Sequence, residues 1–252
     1  MMVMSAAAPR TGQVIFLNGT SSSGKSSVAG QLLLVLDRPF FHMSVDAVNG
    51  MRGRERTLEL SPDELAAVLT RTRAGFHRAV AGMAQAGNDL VVDYVLSERW
   101  RLLDCLAVLN GLDVVFVGVR CPEQELARRE KARGDRQPGQ AADQLRQVHS
   151  YGSYDIECDT TTASARDCAL TIKQSLDQLP NPRAFDRLRS TLQADLQTSI
   201  GPKTQTQRQP SPRPSSVSGG LAGRPADYLP GSIFSGHRLM IRPALSGGAC
   251  RA

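Results

Sequence analysis

Residues Gln13–Ser26 read QVIFLNGTSSSGKS, and the fold follows from how this run is read. Its first six residues, Gln13 to Asn18, form a short apolar, β-branched segment of the kind that makes a strand buried on both faces. The next eight, Gly19-Thr20-Ser21-Ser22-Ser23-Gly24-Lys25-Ser26, fit G-x-x-x-x-G-K-[ST], the phosphate-binding loop pattern. From Gly24 to Leu36 the spacing is helical, with Val28, Leu32, Val35 and Leu36 on one side. Strand, loop, helix is the order in which such a loop works. Glycine lets the backbone curl so that N–H groups point at phosphate oxygens, and the helix N-terminus adds partial positive charge. Lys25 can reach the β- and γ-phosphates, and the Ser26 hydroxyl can ligate Mg²⁺. The chain has four lysines against 26 arginines, so lysine abundance does not explain one at this position. The expected ATP-binding residues are Gly19, Thr20, Ser21, Ser22, Ser23, Gly24, Lys25, Ser26 and Ser27.

Outward from this run, strands alternate with helices. Phe40 to Val45 reads as a second strand stopping at Asp46. Ser61-Pro62-Asp63-Glu64 is a capping-box start for a long helix reaching about Ala86, with Gly87 after it. Strands follow at Asp89 to Tyr94, Asp113 to Val119 and Asp155 to Cys158. Helices are expected over Glu98 to Leu109, from Pro122 to about Ala132, up to about Val148, and over Ala163 to Leu179. The pattern predicts an α/β protein with a P-loop kinase-like three-layer fold: a five-stranded, mostly parallel sheet with helices on both faces. The domain spans 13–180, after a flexible N-terminus at 1–12. Phe185, Leu188, Leu192, Leu196 and Ile200 trace one face of an extra amphipathic helix over 181–200, which packs on the body or on a partner.

The net charge of +6 on 252 residues would suit a nucleic-acid binder. Its location argues otherwise. Residues 201–252 carry seven basic side chains and one acid, whereas the preceding 200 carry 23 of each. The same 52 residues hold seven of the 14 prolines and eight of the 22 glycines. The segment is therefore expected to be a disordered basic tail, and with only Tyr228 and Phe234 in it, it is poorly equipped to stack on bases. Five scattered cysteines without a C-x-x-C pair exclude a disulfide scaffold and a zinc site. No apolar run approaches membrane-spanning or signal-peptide length, so a cytoplasmic protein is expected. The sequence says nothing of its oligomeric state.

Four residues outside the loop are candidates for chemistry. Asp46 ends the second strand, where a carboxylate faces the ligand crevice of an open α/β sheet and can take a proton from an attacking hydroxyl. Its structural alternative is the N-cap of the next helix. Asp93, after Leu90-Val91-Val92, has the strand-then-acid pattern of a Mg²⁺-holding carboxylate, so Ser26 and Asp93 are the expected metal ligands. Arg133 and Arg136 flank Gly134 beyond a helix and are candidates to neutralise charge on a transferring phosphoryl group. Arg128 and Arg129, inside that helix, read as an ordinary basic helix end. None of the other three lysines lies in an N-K-x-D or T-K-x-D segment, which argues against a guanine-specific switch.

Leu17-Asn18-Gly19-Thr20-Ser21-Ser22-Ser23-Gly24-Lys25-Ser26, Ser44-Val45-Asp46, Val117-Gly118-Val119-Arg120-Cys121, Ala132-Arg133-Gly134-Asp135-Arg136, Val148-His149 and Tyr154-Asp155-Ile156-Glu157-Cys158-Asp159-Thr160-Thr161 together resemble the chloramphenicol phosphotransferase family, over about Gln13 to Leu179. The resemblance implies ATP-dependent phosphorylation of a hydroxyl on a small molecule, chloramphenicol or another antibiotic. It also implies Asp46 as the base and Arg133 and Arg136 as lid residues. The chain departs from the family pattern at Tyr94, which follows Asp93 in place of a second acid, and over Ala47 to Leu60, which is shorter and more basic. Alternative readings are a nucleotide, shikimate-like or sulfate-nucleotide kinase, and a non-catalytic nucleotide-dependent regulatory protein.

Overall fold

The computed structural model describes residues 10–133 and 140–193. Five strands form one sheet: β1 (Gln13–Asn18), β2 (Phe40–Ser44), β3 (Asp89–Tyr94), β4 (Asp113–Arg120) and β5 (Ile156–Asp159), in the order β2-β3-β1-β4-β5. All four pairings are parallel. With β1 central and β3 and β4 on its two sides, the chain after β1 leaves toward one edge and later returns to fill the other. The loops following β1 and β3 thus meet at the C-terminal edge, where ligands bind in open α/β sheets.

Alternation along the central strand builds two cores. Val14 and Phe16 face Phe76, Val80, Leu102, Leu106, Phe116 and Phe185, whereas Ile15 and Leu17 face Val28, Leu32, Val117 and Ile172. The first face is covered by α4 (Pro62–Gln85), α5 (Arg99–Val108) and α9 (Ala184–Thr191), the second by α1 (Lys25–Val35) and α8 (Ala165–Ser175). A strand buried on both faces has no polar side to alternate, which is why β1, β3 and β4 read as near-continuous apolar runs. Each fully buried phenylalanine contributes about 1.5–3 kcal/mol, and Phe16, Phe76, Phe116 and Phe185 are all buried on one face.

The α4 capping box forms as the sequence implies. The Ser61 side chain accepts from the Glu64 N–H while Glu64 reaches back to the Ser61 N–H, with Pro62 at the first helical position. The extra helix packs on the body: Ala184, Phe185 and Leu188 of α9 are buried. Asp155, whose side chain is fully buried, ties α9 down by accepting from Phe116 N at 2.9 Å and Ala184 N at 2.6 Å. The remainder of the expected helix, 194–200, and the basic tail, 201–252, lie outside the described residues, as do residues 1–9 of the flexible start expected over 1–12. The end of that start is held, Arg10 pairing with Asp89 at 3.0 Å and Gly12 N donating to Ala84 O at 2.8 Å.

One boundary differs with consequence. β2 stops at Ser44, and Val45 already begins a short helix, α2 (Val45–Gly50), followed by α3 (Arg54–Leu58). The N-cap is Ser44, which accepts from Ala47 N at 3.2 Å, and not Asp46. The serine hydroxyl captures the exposed helix amide two residues earlier than an Asp46 cap would, which puts Asp46 in the first turn of the helix. Two further α-helices, α6 (Glu123–Arg133) and α7 (Gln140–Val148), and a 3-10 turn at Leu176–Gln178 complete the described elements. Among the described residues no helix is long and apolar enough to cross a membrane.

Candidate active site

The phosphate loop leaves the end of β1 and is buried for most of its length: Thr20, Ser21, Ser22, Ser23 and Lys25 all have under a tenth of their surface exposed. Its curl comes from two left-handed residues, Ser22 at φ 60° and Gly24 at φ 89°. Glycine takes this conformation freely, whereas a serine does so at a cost of about 1 kcal/mol or more, a strain that concentrates at functional sites. Gly24 is also the N-cap of α1 and offers no side chain to the helix N-terminus. The first amides of α1 are thus left to an anion, whereas two loop amides are taken within the protein, Ser21 N by Gln144 Oε1 and Ser23 N by Thr20 O. Three buried hydroxyls of the loop, those of Thr20, Ser22 and Ser23, have no hydrogen-bond partner among the described residues. Buried polar groups are nearly always satisfied, so three together in one loop mark a place built for a polar ligand.

Lys25 and Ser26 both point at Asp93. Ser26 Oγ donates to Asp93 Oδ2 at 2.5 Å, and Lys25 Nζ lies 3.9 Å from Asp93 Oδ1 while donating to Thr20 O at 2.6 Å. Register explains the meeting: Leu17 of β1 and Ser44 of β2 both pair with Asp93. The strand-end acid therefore sits beside the first turn of α1. The Ser26 hydroxyl and the Asp93 carboxylate are converging hard oxygen donors, the set on which Mg²⁺ sits when phosphates and water supply its remaining ligands. His42, which lies in no motif, places Nε2 3.9 Å from Asp93 Oδ2. Asp46 lies two residues beyond the end of β2, the neighbour of β3, at the same edge of the sheet, and is exposed.

The arginines divide differently from expectation. Arg133 is the last residue of α6 and nothing of its side chain is described, while Arg136 lies outside the described residues. Arg129, read from the sequence as a plain helix end, instead reaches the loop. Its Nη1 donates to Ser22 O at 3.4 Å and Thr160 Oγ1 at 3.1 Å, and its Nη2 to Thr160 O at 2.6 Å. Thr160 in turn donates to Ser23 O at 2.7 Å. Glu125 aims this guanidinium from 2.7 Å, and Arg128 and Arg129 together hold the Glu125 carboxyl down at about 2. The signal that was available is the four-residue spacing from Glu125 to Arg129, which places the two on one helix face. Arg128 stays exposed and pairs with Glu125. A cleft of about 470 Å³ opens between Ser22, Gly24 and Ser27 of the loop, Arg129 and Ala132 of α6, and Thr160 to Ala165.

A second cleft, about 360 Å³, lies between α2 and α4, walled by Val48, Met51, Thr72, Gly75 and Phe76. Its one cation, Arg52, is held by Asn49 Oδ1 at 2.7 Å and Thr72 Oγ1 at 2.9 Å. This cleft shares α2 with Asp46.

The family model described as chloramphenicol phosphotransferase-like protein matches residues 12–177. A Mycobacterium tuberculosis (strain H37Rv) protein named "Putative O-phosphotransferase Rv2636" is 32% identical over 203 residues, covering 71% of this chain and 88% of that one. The protein of strain CDC 1551 named "Putative O-phosphotransferase MT2714" matches to the same extent. Among solved structures, that of "a putative kinase" from Chloroflexus aurantiacus superposes with a TM-score of 0.50 at 18% identity, covering 67% of this chain and 98% of the other, a likeness of fold. The five-stranded parallel sheet, the phosphate loop and the matched span agree: this chain belongs to the chloramphenicol phosphotransferase-like protein family.

Proposed function

We propose that the protein transfers the γ-phosphoryl group of ATP to a hydroxyl of a small molecule, with chloramphenicol and other hydroxylated antibiotics as the first acceptors to try. The observation that carries this reading is the convergence of Lys25 and Ser26 on Asp93, beside a loop in which three buried hydroxyls have no partner among the described residues. In this reading the loop from Gly19 to Ser27 binds the phosphates, and Lys25 offsets the charge that develops on the transferred group, together with Arg133 and Arg136. Ser26 and Asp93 hold Mg²⁺, which neutralises phosphate charge when bound. Asp46 orients the attacking hydroxyl and accepts its proton. The nucleotide occupies the cleft beside Arg129 and Thr160. The acceptor occupies the cleft between α2 and α4, whose mostly apolar wall with a single arginine suits a neutral, partly aromatic molecule. Cys105, Cys121, Cys158 and Cys168 are free thiols, in keeping with a reducing cytoplasmic setting.

The test is ADP release from the purified chain with ATP, Mg²⁺ and a broad panel of hydroxylated acceptors, beside Lys25→Ala. Acceptor-stimulated turnover that Lys25→Ala abolishes is the expected result. No stimulation by any acceptor across the panel would overturn the reading.

A further inference from the structure

Two separate sets of side chains hold the phosphate loop from outside. Its trailing half is held by Arg129 and Thr160 through Ser22 O and Ser23 O. Its leading half is held by α7 and the segment after it. Asn18, the fully buried last residue of β1, uses its whole carboxamide: Oδ1 accepts from Leu96 N at 3.0 Å, and Nδ2 donates to Val148 O and to Tyr154 Oη, each at 2.9 Å. The Tyr154 hydroxyl lies 2.7 Å from His149 Nδ1. Burial, with Arg120 beside it, holds His149 down at about 4, so the imidazole is neutral at physiological pH. The Tyr154 ring occupies space that only a glycine at 118 leaves open, since a Cβ there would lie 2.8 Å from the ring. Three residues into the loop, Ser21 N donates to Gln144 Oε1 at 2.8 Å.

Gln144 reaches residue 21 with its side chain, and Val148, four residues on at the end of α7, offers its backbone carbonyl to Asn18. The one helix thus grips residues 18 and 21, one on each side of the turn at Gly19. The grip extends to the metal-side acid, because Leu96, held by Asn18, lies three residues beyond Asp93 in the segment that leaves β3. The trailing half carries Lys25, Gly24 and the α1 N-terminus, the groups with direct attraction for phosphate. The leading half carries none of these, and what it fixes is the position of the loop relative to Asp93.

We propose that Gln144 and Tyr154 are positioning residues: acting through Ser21 and Asn18, they hold the leading half of the phosphate loop in register with Asp93, so that the rate of phosphoryl transfer depends on α7 while nucleotide affinity does not. This rests on the phosphotransferase reading above. Misplacing preorganised groups by about 1 Å is enough to cost about 10²-fold in rate.

The experiment uses the full chain and three variants. Gln144→Leu removes the acceptor of the Ser21 N–H, Gln144→Glu keeps an acceptor oxygen there, and Tyr154→Phe keeps the ring against Gly118 and removes only the hydroxyl. Amide hydrogen exchange at residues 18–21 should rise about tenfold in Gln144→Leu, the size expected for one lost hydrogen bond, and stay at the wild-type level in Gln144→Glu. ATP dissociation constants, by calorimetry, should stay within about twofold of wild type in Gln144→Leu and Tyr154→Phe, while kcat falls about five- to tenfold with KM for ATP unchanged. A rise in the dissociation constant that matches the loss in kcat overturns the proposal, as does an unchanged kcat. If the wild-type chain phosphorylates no acceptor, the phosphotransferase reading has failed, and exchange still judges the grip: a Ser21 amide as labile in wild type as in Gln144→Leu overturns it.

Discussion

The two clefts at the C-terminal edge of the sheet are built in opposite ways. The one beside the phosphate loop is made of backbone: a curled loop, a helix N-terminus, and side chains such as Arg129 and Thr160 that bond to loop carbonyls. The one between α2 and α4 is made of side chains from two separate helices, with one fixed cation and an otherwise mostly apolar wall. A cradle of backbone amides recognises what all nucleotides share, a phosphate chain. A wall of side chains recognises shape and can be rewritten residue by residue. Family membership therefore says much about the first cleft and little about the second, to which the proposed function assigns the acceptor.

If that contrast holds, the largest effect belongs to the backbone cradle. Lys25→Ala removes the one loop cation that touches both the cradle, at Thr20 O, and Asp93. It should lower kcat by about 10²- to 10³-fold with any acceptor that the protein accepts, as loss of a charge-stabilising donor does elsewhere. Acceptor-independent loss across a panel supports the division of labour, and a loss confined to one acceptor breaks it. Next comes Arg129→Ala, which strips Ser22 O and both oxygens of Thr160 of a charged donor. Charge-assisted hydrogen bonds are worth about 1.5–3 kcal/mol, so the ATP dissociation constant should rise about tenfold or more. The KM for the acceptor should stay put. An acceptor effect as large as the nucleotide effect would show that the clefts are not separable.

How much of this was legible in the sequence follows the same divide. The phosphate loop is one contiguous run whose curl and burial are set by local backbone geometry, so the loop between β1 and α1 could be read directly from Gly19 to Ser26. Asp93 was legible because an acid after a buried strand has few other places to go. Arg129 was not, because its partner carbonyls at Ser22 and Thr160 are 107 and 31 residues away in the chain, and helix-end arginines are common for reasons of dipole and solubility. Asn18, Gln144 and Tyr154 were invisible as a unit for the same reason: a hydrogen-bonded network joining a strand end, a helix and a loop leaves no spacing in sequence. The α2–α4 cleft was illegible in a further sense. The stretch from Ala47 to Leu60 has no clear apolar period, and α2 and α3 carry no buried residue that would have announced them.

The acceptor side can be probed without touching the loop. Gly75 lies on α4 within the wall of the second cleft, and a Cβ built there meets nothing within 4 Å. Gly75→Leu therefore places its Cβ without a clash and carries the rest of its side chain at the cleft wall, and replacing a mid-helix glycine should stabilise α4 by about 0.5–1 kcal/mol. Acceptor KM should rise about tenfold, the scale on which a few methylenes in a hydrophobic site discriminate. ATP affinity should be unaltered. Steady-state kinetics with the acceptor varied at saturating ATP, and then the reverse, separates the two. A raised KM for ATP alone would place the acceptor elsewhere.

The smallest expected effect tests whether the loop side, with its buried polar grip, carries a pH sensitivity. His149 sits between Arg120 and Lys25, which disfavour its charge, and Glu157, which favours it, and burial dominates. Its folded pKa is near 4, against an ordinary 6.5. Between those values the unfolded chain binds a proton that the folded chain refuses, so stability contributed by the neutral imidazole is complete above about pH 6.5 and drains away as the pH falls toward 4. His149→Asn cannot take up that proton in either state. It should melt below wild type at pH 8, where wild type keeps its full contact with the Tyr154 hydroxyl. The gap between the two melting temperatures should narrow steadily from pH 6.5 downward. A gap that stays constant across that range would mean that His149 titrates alike in the folded and unfolded chains, and the buried network at the end of α7 would then be open to solvent.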